Sequence, residues 1–551
     1  MASGKRLVPA LAAAAVLVTA PGAYALTGHP SSPQAGPPAG GHLRAAADSY
    51  HVRSSGTLVV RAGHGVLAND SGGPLQVISN TNPSHGSLTF NPDGSFKYVP
   101  AAGFTGTDTF TYTVANAVHL YTSHVPSLGT FGGVALNGGA FGSALTRVPG
   151  SRDEYYGLED RGPNVTAPDG NGVEPIPSYD PSIAKFRFTG NSAVLEKIIP
   201  LKDAAGHPYS GLVNSQNPTG EVIEDLNGVK LTADPDGYDS EGIVALRDGT
   251  FWVSDEYGPF ITHFTATGRA IQRLSPVDGT LPKELVNRVP NRGMEGLTLT
   301  PDGSTLVGIM QSSLQQADLN GSNAKNLTPL RIVTYNMRTH AEHEYLYLLD
   351  NPKTTGTAVS EIAALSNTTF LVDERDGKFP GQNAYKKLFK IDISGATDVG
   401  PSSTVKGATY DGSKGGLLIG GKTIEDLVLG QDTATSQATL AAAGITVATK
   451  TLFLDVNALL LSLDPQARFY SHDKIEGVVV LNGGRQVVIS NDSDFGIDGV
   501  SNSAPPYTLH EKVSPTTGQQ DNGEYLVIDT TRLPAPNTAA TSTATVTIHV
   551  S

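Results

Sequence analysis

Tyr238-Asp239-Ser240-Glu241-Gly242-Ile243-Val244-Ala245-Leu246-Arg247-Asp248-Gly249-Thr250-Phe251-Trp252-Val253-Ser254-Asp255-Glu256 is the stretch from which the fold is read. An acid-Gly pair opens a short apolar run, Asp248-Gly249 supplies a turn, and a second apolar run ends in acids. Two runs of strand length joined by Asp-Gly form a β-hairpin with carboxylates at one end. The pattern returns from Glu295-Gly296 to Met310-Gln311, from Glu361 to Asp373-Glu374, and from Glu476-Gly477 to Asn491-Asp492. A degenerate first copy runs from Gly142 to Glu159-Asp160, with Phe141 read in place of the opening acid.

Strand-like runs such as Ala184–Phe188, Ile261–Phe264, Leu330–Tyr335, Lys387–Ile391 and Tyr525–Ile528 follow the copies. Two inner and two outer strands per copy make a propeller blade, and radial repetition leaves few exposed edges. The expected fold is therefore all-β, a β-propeller of about six blades. The irregular stretch between 395 and 470 leaves room for the extra blade.

Composition agrees with a turn-rich β protein: of 551 residues, 62 are Gly and 36 Pro, and 38% are hydrophobic. The formal net charge is −14 with no basic block, which argues against nucleic acid and for cationic partners. Lys5-Arg6, an uncharged stretch from Leu7 to Ala20, and Ala23-Tyr24-Ala25 read as a secretory signal cleaved near Ala25, too short for a membrane span. With no Cys, export brings no disulfide framework. Residues 26–47, rich in Pro, Gly, Ala and Ser, read as a flexible linker.

From 48 to 118, short alternating strands with Asp93-Gly94 at a hairpin turn indicate a β-sandwich. Gly65-Val66-Leu67-Ala68-Asn69-Asp70, Pro92-Asp93-Gly94-Ser95-Phe96-Lys97-Tyr98-Val99-Pro100 and Gly106-Thr107-Asp108-Thr109-Phe110-Thr111-Tyr112-Thr113-Val114 resemble the bacterial cadherin-like repeats of the Ig-like class. Such repeats imply a spacer or a contact with the cell surface or polysaccharide. Their last strand is missing after Val114, and a matching Thr-rich segment stands at 538–551. Residues 119–533 are therefore expected to be inserted in the last hairpin, which costs little if their ends lie close together.

In a propeller the inner strands line the axis, so matching acids face one another. Glu241, Asp255, Glu256, Glu295, Glu361, Asp373, Glu374, Glu476 and Asp492 are the candidate metal ligands. A hard, oxygen-only cluster suits Ca²⁺, with Mg²⁺ as the other choice. The same acids could instead cap strands. Arg161, Arg292, Arg375 and Lys474 adjoin the acids and could hold substrate oxygens, or pair with their neighbours. Glu241, Glu295 and Glu476, with His472 nearby, are the candidate groups for activating water. No Gly-x-Ser-x-Gly elbow occurs, so a serine esterase is unsupported.

Asp239-Ser240-Glu241-Gly242-Ile243, Asp255-Glu256-Tyr257-Gly258-Pro259, Asn291-Arg292-Gly293-Met294-Glu295-Gly296-Leu297, Asp373-Glu374-Arg375, Lys474-Ile475-Glu476-Gly477-Val478 and Ser490-Asn491-Asp492-Ser493-Asp494-Phe495-Gly496 resemble the phytase-like family, "esterase-like activity of phytase". The resemblance implies a secreted propeller that hydrolyses small-molecule phosphate or carboxylic esters with the help of Ca²⁺. Phosphoester hydrolysis by activated water leads, a carboxylic-ester or lactone hydrolase is the same-fold alternative, and a ligand-binding or adhesion protein is the non-catalytic one. Phe141 and Met310-Gln311 depart from a full acidic ring.

Overall fold

The computed structural model describes residues 42–551, so the signal segment and its cleavage site lie outside the described residues. Three antiparallel four-stranded sheets and one eight-stranded sheet, in which two four-stranded units join through the parallel pair Ser192–Pro200 and Val118–Ser123, make five blades around an axis. Their inner strands are Ala144–Arg147, Ser240–Ala245, Met294–Leu299, Ala358–Ala364 and Val478–Leu481. Each inner strand lies against the next, and Val478–Leu481 returns to Ala144–Arg147, so the ring closes. The propeller has five blades, within one of the six expected. Residues 393–448, which left room for the extra blade, form a hairpin (Ala408–Asp411 with Gly416–Ile419) and the helices Ile424–Leu427 and Thr433–Ala442. They separate the third and fourth strands of blade 4, Lys386–Asp392 and Thr449–Asp455.

The outer strand of blade 5 is Val118–Ser123, from the start of the insert, paired antiparallel with Glu524–Asp529 from its end. Closing the last blade with strands from both ends of the insert makes the ring one cooperative unit. Val118–Ser123 follows directly on Gly106–Ala115, which pairs over its whole length with the terminal strand Thr541–Val550. The two strands that close the ring thus continue into one sandwich hairpin.

The sandwich packs the sheet Asp48–Val52, Thr541–Val550, Gly106–Ala115, Gln76–Asn80 on the sheet Leu58–Val60, Phe96–Pro100, Gly86–Phe90. Alternation along these strands turns Phe96, Tyr98, Phe110, Tyr112, Val114, Val546 and Ile548 into one core. Residues 42–47 do not behave as the expected linker. Leu43 and Ala45 pack on this core, and Arg44 bridges to Ser71. Among the described residues, no helix is long and apolar enough to cross a membrane.

Blade spacing explains the acid-Gly pairs. A Cβ at Gly242 would lie 2.6 Å from the Leu297 amide nitrogen, one at Gly296 2.5 Å from that of Ile362, and one at Gly477 2.8 Å from that of Leu145. At each position the next blade's backbone occupies the space of a side chain. Serines fasten the seams: from an inner strand Ser240 Oγ donates to the Glu159 carbonyl (2.7 Å), and from second strands Ser254 Oγ donates to that of Glu295 (3.3 Å) and Ser490 Oγ to that of Gly142 (2.9 Å).

Gly296→Ala is expected to cost about 1–3 kcal/mol by forcing two backbones apart. Gly499→Ala, whose added methyl meets nothing within 4 Å, is expected to stay within about 0.5 kcal/mol. Urea unfolding of both variants measures the difference, and equal midpoints would remove the close-approach explanation.

Candidate functional site

Strand register decides which side chains reach the axis. In blades 2 and 3 the pairing shifts by one residue at Glu241 and Glu295, so each glutamate is the extra residue of a β-bulge, unpaired at the strand end. In blade 4 the extra residue is Ser360, and Glu361 pairs with Asp373 where Gly242 pairs with Ser254. Blade 1 pairs Ala144 with Leu158, which puts Ser143 at the matching position. The axial ring is therefore Ser143, Glu241, Glu295, Ser360 and Glu476. The next layer, two residues past each strand partner, is Asp160, Glu256, Gln311, Arg375 and Asp492.

Two sequence readings change on this register. Phe141 is not the missing acid of blade 1; it sits in a left-handed turn (φ 50°) with its ring packed among Leu145, Phe186 and Tyr525. Glu361 does not join the axial ring. Its Oε1 accepts from the amides of Ile362 (2.9 Å) and Leu297 (3.2 Å), bracing blade 4 against blade 3.

Glu241, Glu295, Glu476, Glu256 and Asp492 do converge, all buried, together with Asp239, Glu159 and Asp160. Burial, and then mutual repulsion with Glu295, Asp239 and Glu256, pushes the Glu241 carboxyl well above its ordinary range. Burial followed by Glu256 and Glu476 does the same to Glu295. Glu295 Oε2 and Glu159 Oε1 have no donor in reach, and Glu295 can bond Glu256 only when one of the two holds a proton. Oxygens of Asp239, Glu241 and Glu256 all lie within 4.8 Å of one another. Three hard donors beside an orphaned carboxyl oxygen fit a Ca²⁺-class cation, with neither Cys nor His among them.

The other proposed ligands lie outside this group. Asp255 accepts from the amides of Asp239 (2.7 Å) and Gly258 (2.5 Å), and burial raises it to about 7; it shapes the loop that aims Asp239. Glu374 points away to Tyr347, Tyr385 (3.3 Å) and Lys450. Asp373 is buried beside Glu476 with both oxygens lacking a donor.

Three of the four candidate substrate cations are taken by carboxylates. Arg161 pairs with Asp239 and bonds Asn164 (2.8 Å), and Arg375 pairs with Glu476 and donates to Ser360 Oγ (2.9 Å). Lys474 Nζ lies 2.8 Å from Asp492 and 2.5 Å from Asp494. Arg292 instead lies half-buried beside Arg375, Glu256 and Glu295, with no ion pair within 4 Å among the described residues.

His472 is not free to act as a base at the mouth. Nδ1 lies 2.6 Å from Asp521 and Nε2 3.0 Å from Glu524. Burial alone would lower its pKa, but the two carboxylates raise it to about 9. It belongs to a buried chain in which Lys512 joins Asp521 (3.0 Å), Asp473 (2.5 Å) and Asp494 (2.7 Å). Glu476 is the better poised group: burial raises it, Arg375 pulls it down, and it rests at about 7.

Sequence reasoning missed Asp239, Glu159 and Asp160 as members of the cluster. All three stand inside the quoted repeats, beside Ser240 and before Arg161, where an acid one step from the repeated position was the available signal.

A family model described as "Esterase-like activity of phytase" matches residues 138–495, and one described as a bacterial Ig domain matches residues 37–124. An uncharacterized secreted protein of Arthroderma benhamiae is 33% identical over 176 residues, covering 25% of this chain and 34% of that protein. The match thus spans about a third of that relative's length. Among solved structures, luciferin-regenerating enzyme has a TM-score of 0.27 at 10% identity, covering 83% of this chain and 95% of that one. A catalytically inactive virginiamycin B lyase from Staphylococcus aureus with quinupristin has a TM-score of 0.27 at 11% identity, covering 75% and 99%.

Because the folded His472 has a pKa of about 9 against an ordinary 6.5, its ion pairs stabilise fully below pH 6.5 and are lost as pH rises through about 9. The stability gap between the native protein and His472→Gln is expected to be on the order of 3 kcal/mol near pH 6. Thermal unfolding across that window should show the gap closing, and a pH-independent gap would refute the imidazolium assignment.

Proposed function

Since the chain belongs to the phytase-like family described as esterase-like activity of phytase, we propose that it is a secreted, cation-assisted ester hydrolase whose preferred substrates are phosphoesters. The observation that supports this reading is the convergence of buried carboxylates from four blades beside one unpaired arginine.

Asp239, Glu241 and Glu256 would hold the cation, with Glu295 as the fourth carboxylate in reach. A Ca²⁺ held there would supply a Lewis acid for the ester oxygen and make nearby water more acidic. Arg292 contacts an anionic group of the substrate, because its guanidinium is not consumed by a protein carboxylate. Glu476, at about 7, accepts the proton of the attacking water, and Arg375 holds the resulting carboxyl in place. Arg161, by gripping Asp239, orients a metal ligand and does not touch substrate. Secretion is supported by the N-terminal signal-like sequence and by the partial likeness to a secreted fungal protein.

Assays of the full chain on phytate, nitrophenyl phosphate and nitrophenyl acetate, with Ca²⁺ and with chelator, test the reading. Calcium-dependent phosphatase activity is expected, rising with pH through about 7 as Glu476 becomes a carboxylate. Turnover of the acetate alone would shift the assignment to carboxylic esters, and metal binding with no turnover would remove the enzyme. Glu476→Gln is expected to lower kcat by about 10²–10⁴-fold. Glu241→Gln is expected to weaken Ca²⁺ at least about tenfold, since it removes one of few charged ligands and leaves the others buried.

A further inference from the structure

A second set of buried acids lies outside the mouth, where the 393–448 excursion rests on blade 3. Glu284 comes from the short turn Lys283–Asn287, Glu344 from the outer strand Glu342–Leu348, Arg331 from Pro329–Asn336, and Glu425 from the helix Ile424–Leu427 of the excursion. All three glutamates have no exposed surface, and Arg331 has 1%.

Their charges do not balance. Arg331 is taken by Glu425, with Nη1 2.8 Å from Oε1 and Nη2 3.3 Å from Oε2, and Gln316 Nε2 adds a bond to Glu425 Oε2 (3.2 Å). That leaves Glu284 and Glu344 facing each other. Tyr410 OH donates to Glu284 Oε2 (2.7 Å), whereas Glu284 Oε1 has no donor. Both oxygens of Glu344 lack one as well, and the nearest cation, Arg331 Nε, stands 3.9 Å from Oε2. Two carboxylates buried side by side cannot both stay ionised without a cation between them.

The excursion is shaped around this pair. A Cβ at Gly416 would collide with Glu284 Oε1, one at Gly412 would lie 3.1 Å from Oε2, and one at Gly400 3.2 Å from Glu344 Cγ. Three glycines of one segment thus lie directly on the two acids, and Thr423 of the same segment is tied to blade 3 by two bonds of 2.9 Å to Asp318.

We propose that Glu284 and Glu344 bind one divalent cation of the calcium class beneath the 393–448 excursion, whose Tyr410, Gly412 and Gly416 close over Glu284, independently of the mouth. The two carboxylates match its charge, and the Tyr410 hydroxyl adds a third oxygen beside them. A cation here favours the docked excursion, because Tyr410, Gly400, Gly412 and Gly416 enclose the two carboxylates only while it is docked.

Full-length protein provides the test. In crystals soaked with Tb³⁺, an anomalous peak is expected between Glu284 and Glu344, within about 2.3–2.6 Å of their oxygens. Proteolytic cleavage inside 393–448 should slow about 100-fold when free Ca²⁺ is about 100 times the Kd. The mouth variant Glu241→Gln/Glu256→Gln should keep that protection, and Glu284→Gln/Glu344→Gln should lose its calcium dependence. No peak between the pair, or protection that follows pH and ignores Ca²⁺, would overturn the proposal in favour of a shared proton. Loss of protection in the mouth variant alone would place the cation at the mouth and overturn it equally.

Discussion

Backbone contact between neighbouring inner strands is the constraint from which the rest of the structure follows. The amides of Leu297, Ile362 and Leu145 lie within about a van der Waals contact of where a Cβ would sit on the preceding blade. Glycine at 242, 296 and 477 meets that demand, and the residue before each glycine is thrown out of the ladder toward the axis. Axial glutamates are thus by-products of tight blade packing. The geometry that closes the ring also concentrates charge.

Concentrated charge then shapes what surrounds it. Eight acids around one mouth would repel one another strongly, so Arg161, Arg375 and Lys474 are drawn in as internal counter-ions. Each is spent on a protein carboxylate, so of the four cations beside the acids only Arg292 has no ion pair among the described residues. Residual negative charge sits mainly on Glu241, Glu256 and Glu295, where burial makes either a proton or a cation necessary. On the blade 3 flank the same physics recurs on a smaller scale, with Arg331 offsetting one glutamate of three.

The sandwich and the ring are joined by two chain connections between neighbouring strands. Val118–Ser123 and Glu524–Asp529 close the last blade and lead straight into Gly106–Ala115 and the segment ending in Thr541–Val550.

By itself the sequence determined the all-β class, the sandwich alternation and the hairpin repeat, because a period of two and Asp-Gly turns are local properties of the chain. Glu241, Glu295 and Glu476 were readable for the same reason: each is marked by the glycine after it. Register was not readable, since a one-residue bulge leaves no compositional trace. Only tertiary structure put Ser143 and Ser360 on the axis in place of Phe141 and Glu361, and set the blade count at five. Charge partnership was likewise decided in three dimensions. Which carboxylate takes Arg161, or encloses His472, depends on distances between residues far apart in the chain, and electrostatic energy follows distance.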